Sequence, residues 1–325
     1  MTGSETRGAA RQHARPSVPD ALAGRTVLVT GGAGFIGSHL ARRLVDDCEL
    51  RVLDDCSNGD PRAVPDGATF IEGDVRDESA VADAVAGADA VFHQAGLVSV
   101  SKSVDLPAVT HAVNATGTLR VLEAARRADA RVVLASSAAV YGRPESVPVT
   151  EAHPKRPASP YGLSKLTADH QARLYADLYG LPTVALRYFN VYGPGGTSDY
   201  AGVIRAFLDQ ARDGGPLTVH GDGSQTRDFV HVSDVVDANL AAATTDCVGG
   251  AYNVGTGTAH SIGELAEFVR EAVDGEPEVV HTEGRSGDID HSRADLSRAR
   301  ADLGFEPTVG LPAGLRRLLG ERAAE

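Results

Sequence analysis

The segment Thr30-Gly-Gly-Ala-Gly-Phe-Ile-Gly37 constrains this chain more than any other, because it sits between a strand and a helix. The run Arg25–Thr30 before it is short and β-rich, as expected of a strand buried on both faces. After it, Ile36, Leu40 and Leu44 recur at helical spacing, and Glu49–Leu53 reads as a second strand. Strand, turn, helix and strand within some thirty residues make a βαβ unit. Gly31 permits the tight turn, Gly34 lets the backbone approach a pyrophosphate, and Gly37 lets the helix pack closely on the sheet. The anion would rest on the helix N-terminus, where free N–H groups and the helix dipole favour it. Spaced glycines alone mean little in a chain with 36 of them. Their placement between strand and helix carries the reading.

The alternation continues. Strands are expected at Thr69–Glu72, Ala90–His93, Arg131–Ser136 and Thr183–Arg187. Helices are expected at about 78–86, as one long element over 107–128, and from Tyr161 to about Tyr179 with Ser159 as cap and Pro160 at the first position. This is the pattern of a doubly wound parallel sheet, an α/β fold of Rossmann type. After Tyr192-Gly-Pro-Gly-Gly196 the pattern changes to a smaller mixed α/β lobe. Its helices are expected at about 202–213, 233–245, 261–273 and 311–323, its strands near 217–220, 228–231, 251–254 and 277–281. The expected division is a disordered tail over 1–23, a dinucleotide domain over 24–192 and a substrate lobe over 193–325, with about 228–260 able to return to the first domain. The net charge of −13 disfavours nucleic acid as a partner. No apolar run is long enough for a membrane helix, and residues 1–23 lack the apolar stretch of a signal peptide. Three cysteines without a C-x-x-C pair argue against a disulfide framework or zinc site. The expectation is a cytoplasmic protein without a metal.

Three further features carry chemistry. Asp54 ends the second strand, where a carboxylate accepts ribose hydroxyl hydrogens and repels a 2′-phosphate, favouring NAD over NADP. Asp74-Val75, past the third strand, could receive the adenine. Tyr161-Gly-Leu-Ser-Lys165 places a phenol and an ammonium four residues apart on one helix face. With eight tyrosines and only three lysines, composition predicts far fewer than one such pair. The ammonium is expected to lower the phenol pKa, making a base suited to hydride-transfer chemistry. Ser136-Ser137 end the fifth strand at the sheet edge where ligands bind, although a serine pair at a strand end is mostly turn chemistry.

Together with GDVRD at 73–77, FHQAG at 92–96, SSAAVYG at 136–142 and SPYGLSK at 159–165, these motifs resemble the extended short-chain dehydrogenase/reductase family, in its nucleotide-sugar epimerase and dehydratase branch. The resemblance covers about residues 24–318. It implies Ser137, Tyr161 and Lys165 as catalytic residues. It implies a cofactor shell of Gly31, Gly34, Phe35, Ile36, Gly37, Asp54, Asn58, Gly59, Asp74, Val75, Gln94, Ala95, Gly96, Asn114 and Ser136, with Tyr188 at the nicotinamide end. For the substrate it implies Asn190, Arg227 and Arg285 at the diphosphate, Asp288 at nucleotide hydroxyls, and Thr218 and His220 at the base, with Ser99 and Ala201 also in the shell. A guanidinium suits phosphate oxygens, yet in so arginine-rich a chain only motif context singles out these two. His93 is expected beside the cofactor.

Within the branch, dehydratases and decarboxylases place acidic residues after the catalytic Ser/Thr, where this chain has Ala138 and Ala139. The resemblance therefore implies 4-epimerisation of a UDP-hexose through a 4-keto sugar that turns over before reduction. A decarboxylase or 4,6-dehydratase is the alternative, and a non-catalytic NAD-binding regulator is the alternative of another class. Ser292, small at the position of the family's size gate, leaves room for a 2-acetamido group; the plain alternative is an ordinary loop serine. A homodimer through helices at about 107–127 and 160–179 is also implied.

Overall fold

The computed structural model describes residues 18–195, 202–273, 275–284 and 289–322. In chain order the first part contains β1 (Thr26–Thr30), α1 (Phe35–Leu44), β2 (Glu49–Asp54), β3 (Thr69–Glu72), α2 (Glu78–Val85), β4 (Ala90–His93), α3 (Val100–Asp105), α4 (Pro107–His111), α5 (Thr118–Ala128), β5 (Arg131–Ser137), α6 (Pro160–Tyr179) and β6 (Thr183–Tyr188). There follow β7 (Asn190–Tyr192), α7 (Gly202–Arg212), β8 (Leu217–His220), β9 (Thr226–His231), α8 (Val232–Thr244), β10 (Gly250–Val254), β11 (Ala259–Ser261), α9 (Ile262–Ala272), β12 (Val279–Thr282), α10 (Ser297–Leu303) and α11 (Leu311–Arg322).

Seven parallel strands form the main sheet in the order β10-β6-β5-β4-β1-β2-β3. Strand order reverses between β1 and β4, which opens a crevice at their carboxyl ends. The inner strands read as unbroken apolar runs because helices cover both faces. Val27, Val29, Leu40 and Leu44 pack with α8 residues such as Val235 and Leu240 on one face. Leu28, Val91, Leu122 and Ala172 pack on the other. The remaining strands form two small sheets, β11-β9-β7 and β12-β8. They enclose a separate core of Phe207, Leu217, Phe229, Leu265 and Leu315. The chain crosses between the two bodies more than once, since α8 and β10 lie in the main sheet layer while β9 and β11 do not.

Three expectations change. The long helix over 107–128 is broken into α4, a π-helical turn at Ala112–Gly117, and α5. The break has local causes. Asn114 is buried and turned onto another segment, accepting from Leu97 N at 2.8 Å and donating to Leu97 O and Ser164 Oγ. Thr118 donates to the Asn114 carbonyl at 2.6 Å. Such single π turns recur at functional sites. The tail expected over 1–23 lies outside the described residues up to residue 17, but Val18 and Leu22 are buried in the main core. A segment of one turn is too short to show periodicity. Finally α3, β7, β11 and α10 go beyond the expected elements, being too short for a period to register.

Helix ends follow their chemistry. Ser159 caps α6 by accepting from Gly162 N, Pro160 takes the first position, and Gly180 closes the helix in left-handed conformation. The glycine turn is tighter still. Gly31 has φ +71° and lies against Ala95, while a methyl group on Gly37 would overlap the Gly31 carbonyl oxygen. Gly37→Ala should therefore destabilise the protein by about 1–3 kcal/mol, the usual range for overpacking. Urea denaturation of the variant against the parent measures this, and an unchanged midpoint would contradict the close packing of α1 on β1.

Candidate active site

Two adjoining cavities share Gln94 as a wall residue. One lies over the glycine turn and is lined by Gly31, Gly34, Asp54, Asn58, Gly59, Val75, Ala95 and Gly96. The other runs from Ile36 past Ser136, Ser137, Tyr161, Lys165 and Tyr188 to Asn190. The sheet edge thus brings together most residues expected at the cofactor.

At the first cavity, the start of α1 carries no side-chain cap and no acidic residue in its first turn. A methyl on Gly34 would touch only the Gly31 carbonyl, at 3.2 Å, leaving the space above it clear. Asp54 accepts from Ala33 N at 2.9 Å and from Cys56 N at 2.8 Å. These bonds fix the carboxylate and leave each oxygen a further lone pair for a hydroxyl. Burial pushes its carboxyl above the usual value against those bonds. Asp74 is held by Arg76 through its side chain and backbone. Phe35 and Gly37 are packed within α1 and line neither cavity. Asn114 is spent on Leu97 and Ser164, supporting the site from behind.

At the second cavity, Lys165 donates from Nζ to the Ala135 carbonyl at 2.8 Å. Burial lowers its ammonium to about 8. Tyr161 hydrogen-bonds with Ser137, which pulls the phenol down, but burial outweighs this and holds it above its usual value. The expectation that the Lys165 ammonium lowers the phenol pKa is therefore corrected: the desolvated wall of the cavity dominates. Tyr188 lies in a buried trio with Gln94 and Asn239, receiving Asn239 Nδ2 at 2.8 Å and Gln94 Nε2 at 3.2 Å. Burial raises the Tyr188 phenol. His93 is enclosed in the core between Thr30 Oγ1 at 2.6 Å and Thr118 Oγ1 at 3.0 Å. Burial lowers it to about 3, so it stays neutral and packs beneath the cavity floor.

The expected substrate residues are more dispersed. Asn190 is exposed in the cavity. Ser99 caps α3, accepting from Lys102 N. Thr218 and His220 lie on β8, and Arg227 on β9 donates to the Thr226 carbonyl. Ser292 is buried against β9 through its backbone bond to Thr226 O at 3.1 Å. None of these five is among the described residues lining either cavity. Ala201, Arg285 and Asp288 lie outside the described residues. Sequence reasoning missed Val98, Phe189, Val191, Tyr192, Ile204 and Phe229, which also line the second cavity. Apolar side chains carry no chemical flag, and Val98, Ile204 and Phe229 come from segments far apart in the chain.

A family model described as the NAD dependent epimerase/dehydratase family matches residues 27–255. The chain belongs to that family. It is 39% identical over 300 residues to a UDP-glucose 4-epimerase of Mycolicibacterium smegmatis, covering 89% of this chain and 96% of that protein. Among solved structures it is similar to a UDP-N-acetylglucosamine 4-epimerase from Methanobrevibacter ruminantium M1 in complex with UDP-N-acetylmuramic acid. There the TM-score is 0.89 at 33% identity, covering 93% of this chain and 99% of that one. It is also similar to a Thermus thermophilus UDP-glucose 4-epimerase in complex with NAD, with TM-score 0.84 at 38% identity over 92% of this chain and all of that one. NAD is the cofactor of this family member, and the uncapped start of α1 and the fixed Asp54 carboxylate suit it. Replacing Asp54 by alanine should weaken NAD binding by about ten- to a hundred-fold, the worth of a lost pair of charge-assisted bonds. Calorimetric titration checks this, and unchanged affinity would remove Asp54 from the ribose.

Proposed function

We propose that the protein is an NAD-dependent epimerase that inverts C4 of a UDP-hexose, either the glucose/galactose pair or the N-acetylhexosamine pair. The observation that carries this is the second cavity. It holds a phenol, a hydroxyl and an ammonium, and no carboxylate lines it among the described residues. Water elimination or decarboxylation in this branch uses further acid/base groups, and the residues after Ser137 are Ala138 and Ala139.

When bound, NAD supplies the acceptor and then the donor of hydride at C4 of the sugar. Tyr161 takes the C4 hydroxyl proton and later returns it. Ser137 hydrogen-bonds the same oxygen and the phenol, keeping the proton path short. Lys165, tied to the Ala135 carbonyl, holds a positive charge in the same cavity at neutral pH. The wide apolar wall of Val98, Val191, Ile204 and Phe229 lets a 4-keto sugar turn without strong polar holds. Asn190 and Arg227 hold the diphosphate in this reading, with Arg285, Asp288, Thr218, His220, Ser99 and Ala201 around the nucleotide. Ser292 leaves room for an acetamido group. The same reading includes a homodimer through α5 and α6, supported by the exposed Leu119, Leu163, Leu174 and Leu178 on those helices. It places the enzyme in the cytoplasm, supported by the free thiols of Cys48, Cys56 and Cys247.

Purified protein incubated with UDP-glucose, and separately with UDP-N-acetylglucosamine, should yield the C4 epimer of at least one by NMR, without added NAD. Tyr161→Phe should lower turnover by about 10²–10⁴-fold while NAD stays bound. No epimer from either substrate overturns the reading. Because the Lys165 ammonium sits at about 8, its charge is present below that pH and lost above it. The rate should accordingly decline on the alkaline side near pH 8, which a pH–rate profile measures.

A further inference from the structure

Helix α6 meets the end of β5 at three successive points. Tyr161, Lys165 and Asp169 are spaced four residues apart and share one helix face. Tyr161 stands with Ser137 in the second cavity, Lys165 donates to the Ala135 carbonyl at 2.8 Å, and Asp169 Oδ2 receives the Ser136 hydroxyl at 3.1 Å. Three consecutive residues of the strand are thus matched to three successive turns of the helix. The first two matches involve the catalytic pair; in the third, Ser136 lines the second cavity, while Asp169 takes part in no step described above. We propose that Asp169 is a positioning residue, which by holding Ser136 fixes the register of α6 on β5 and so sets where the Tyr161 phenol and Lys165 ammonium stand at the reacting oxygen.

The construction around Asp169 suits that task. Its side chain is wholly buried, as is that of Arg187. Arg187 is the cross-strand neighbour of Ser136 in the sheet. It grips both carboxylate oxygens, with Nε to Oδ2 at 2.9 Å and Nη2 to Oδ1 at 3.0 Å. A fork of this kind fixes the plane of the carboxylate, so Oδ2 offers Ser136 one direction only. From the next turn of α6, Arg173 approaches Oδ1 at 3.2 Å. Lys155 and His170 lie in the same field. Arg187 also donates to Tyr141 Oη at 3.0 Å, which donates to Asn253 Oδ1 at 2.6 Å, tying the arrangement to β10. A buried ion pair contributes little net stability over apolar residues of the same size; its best-attested gain is a unique geometry. Here that geometry matters, because a slip of one residue moves helix side chains by about 1.5 Å along the axis. A misplacement on the order of 1 Å can cost about a hundred-fold in rate.

The inference rests on the 4-epimerase reading for its reaction and on geometry alone for its register. The test uses the NAD-loaded enzyme with Ser136→Ala, Ser136→Thr and Asp169→Asn. Ser136→Ala removes the contact without stranding a charge. It should lower kcat about ten-fold with KM for the UDP-sugar within about two-fold, an effect of alignment rather than binding. Ser136→Thr keeps the hydroxyl and should restore most of the rate. Asp169→Asn leaves Arg187 without its fork and should lower both kcat and melting temperature. A second readout needs no substrate: the titration of the Tyr161 phenol, taken as the ultraviolet difference between each protein and its Tyr161→Phe counterpart. The groups facing that phenol are Ser137 from β5 and Lys165 from its own helix, and the midpoint should rise in Ser136→Ala as both drift. A lowered melting temperature with unchanged kcat per folded site and unchanged titration would make Asp169 merely structural and overturn the inference. If the parent enzyme turns over neither UDP-sugar, the reaction reading fails, while the titration still decides the register.

Discussion

Helix α1 can begin directly against the end of β1 because Gly31 and Gly37 carry no side chains at their point of contact. That contact aims the start of the helix at the crevice where strand order reverses. It also brings the turn beneath Asp54, whose carboxylate receives the Ala33 N–H, and beside Ala95 at the end of β4. The placing of the start of α1 at the crevice, the fixed Asp54 carboxylate and the floor of the cleft thus follow from one steric condition. The second cavity depends on it in turn, since Gln94, next to Ala95, is wall to both.

Away from that contact, the site is organised by burial. Tyr161, Lys165, Tyr188 and His93 all lie in surroundings that disfavour their charged forms. Each has a partner: Ser137, the Ala135 carbonyl, Asn239 and Gln94, and the hydroxyls of Thr30 and Thr118. In such a setting a partnered group is locked in one orientation, because breaking its bond leaves a desolvated polar atom. Desolvation therefore serves two ends in this enzyme. It keeps the Lys165 ammonium only moderately basic, and it makes the side chains around the reacting carbon stiff.

Much of this was legible beforehand, for reasons that differ by element. The strand β4 falls on the expected residues because inner strands of a covered parallel sheet are short apolar runs bounded by polar turns. Helix α6 was legible through its cap, its Pro160 and its Tyr161–Lys165 spacing. The π turn at Ala112–Gly117 was not, because its cause, Asn114 reaching to Leu97, lies seventeen residues away in the chain. Asp169 and Asn239 were equally silent: a polar residue inside a helix reads as solvent-facing until the neighbours that bury it are known. The apolar wall at Val98, Ile204 and Phe229 is assembled from three distant segments.

Residue order alone set the βαβ turn, the acid at the end of β2 and the four-residue spacing of Tyr161 and Lys165 on α6, since each depends on residue types a few positions apart and on backbone geometry that local sterics impose. Only the tertiary structure decided the direction of the Tyr161 titration, the return of α8 and β10 to the main sheet, and the matching of Tyr161, Lys165 and Asp169 to the end of β5. Those depend on which groups are removed from water together. Desolvation acts on neighbours in space, and residues 136, 169 and 187 become neighbours only once the sheet has formed.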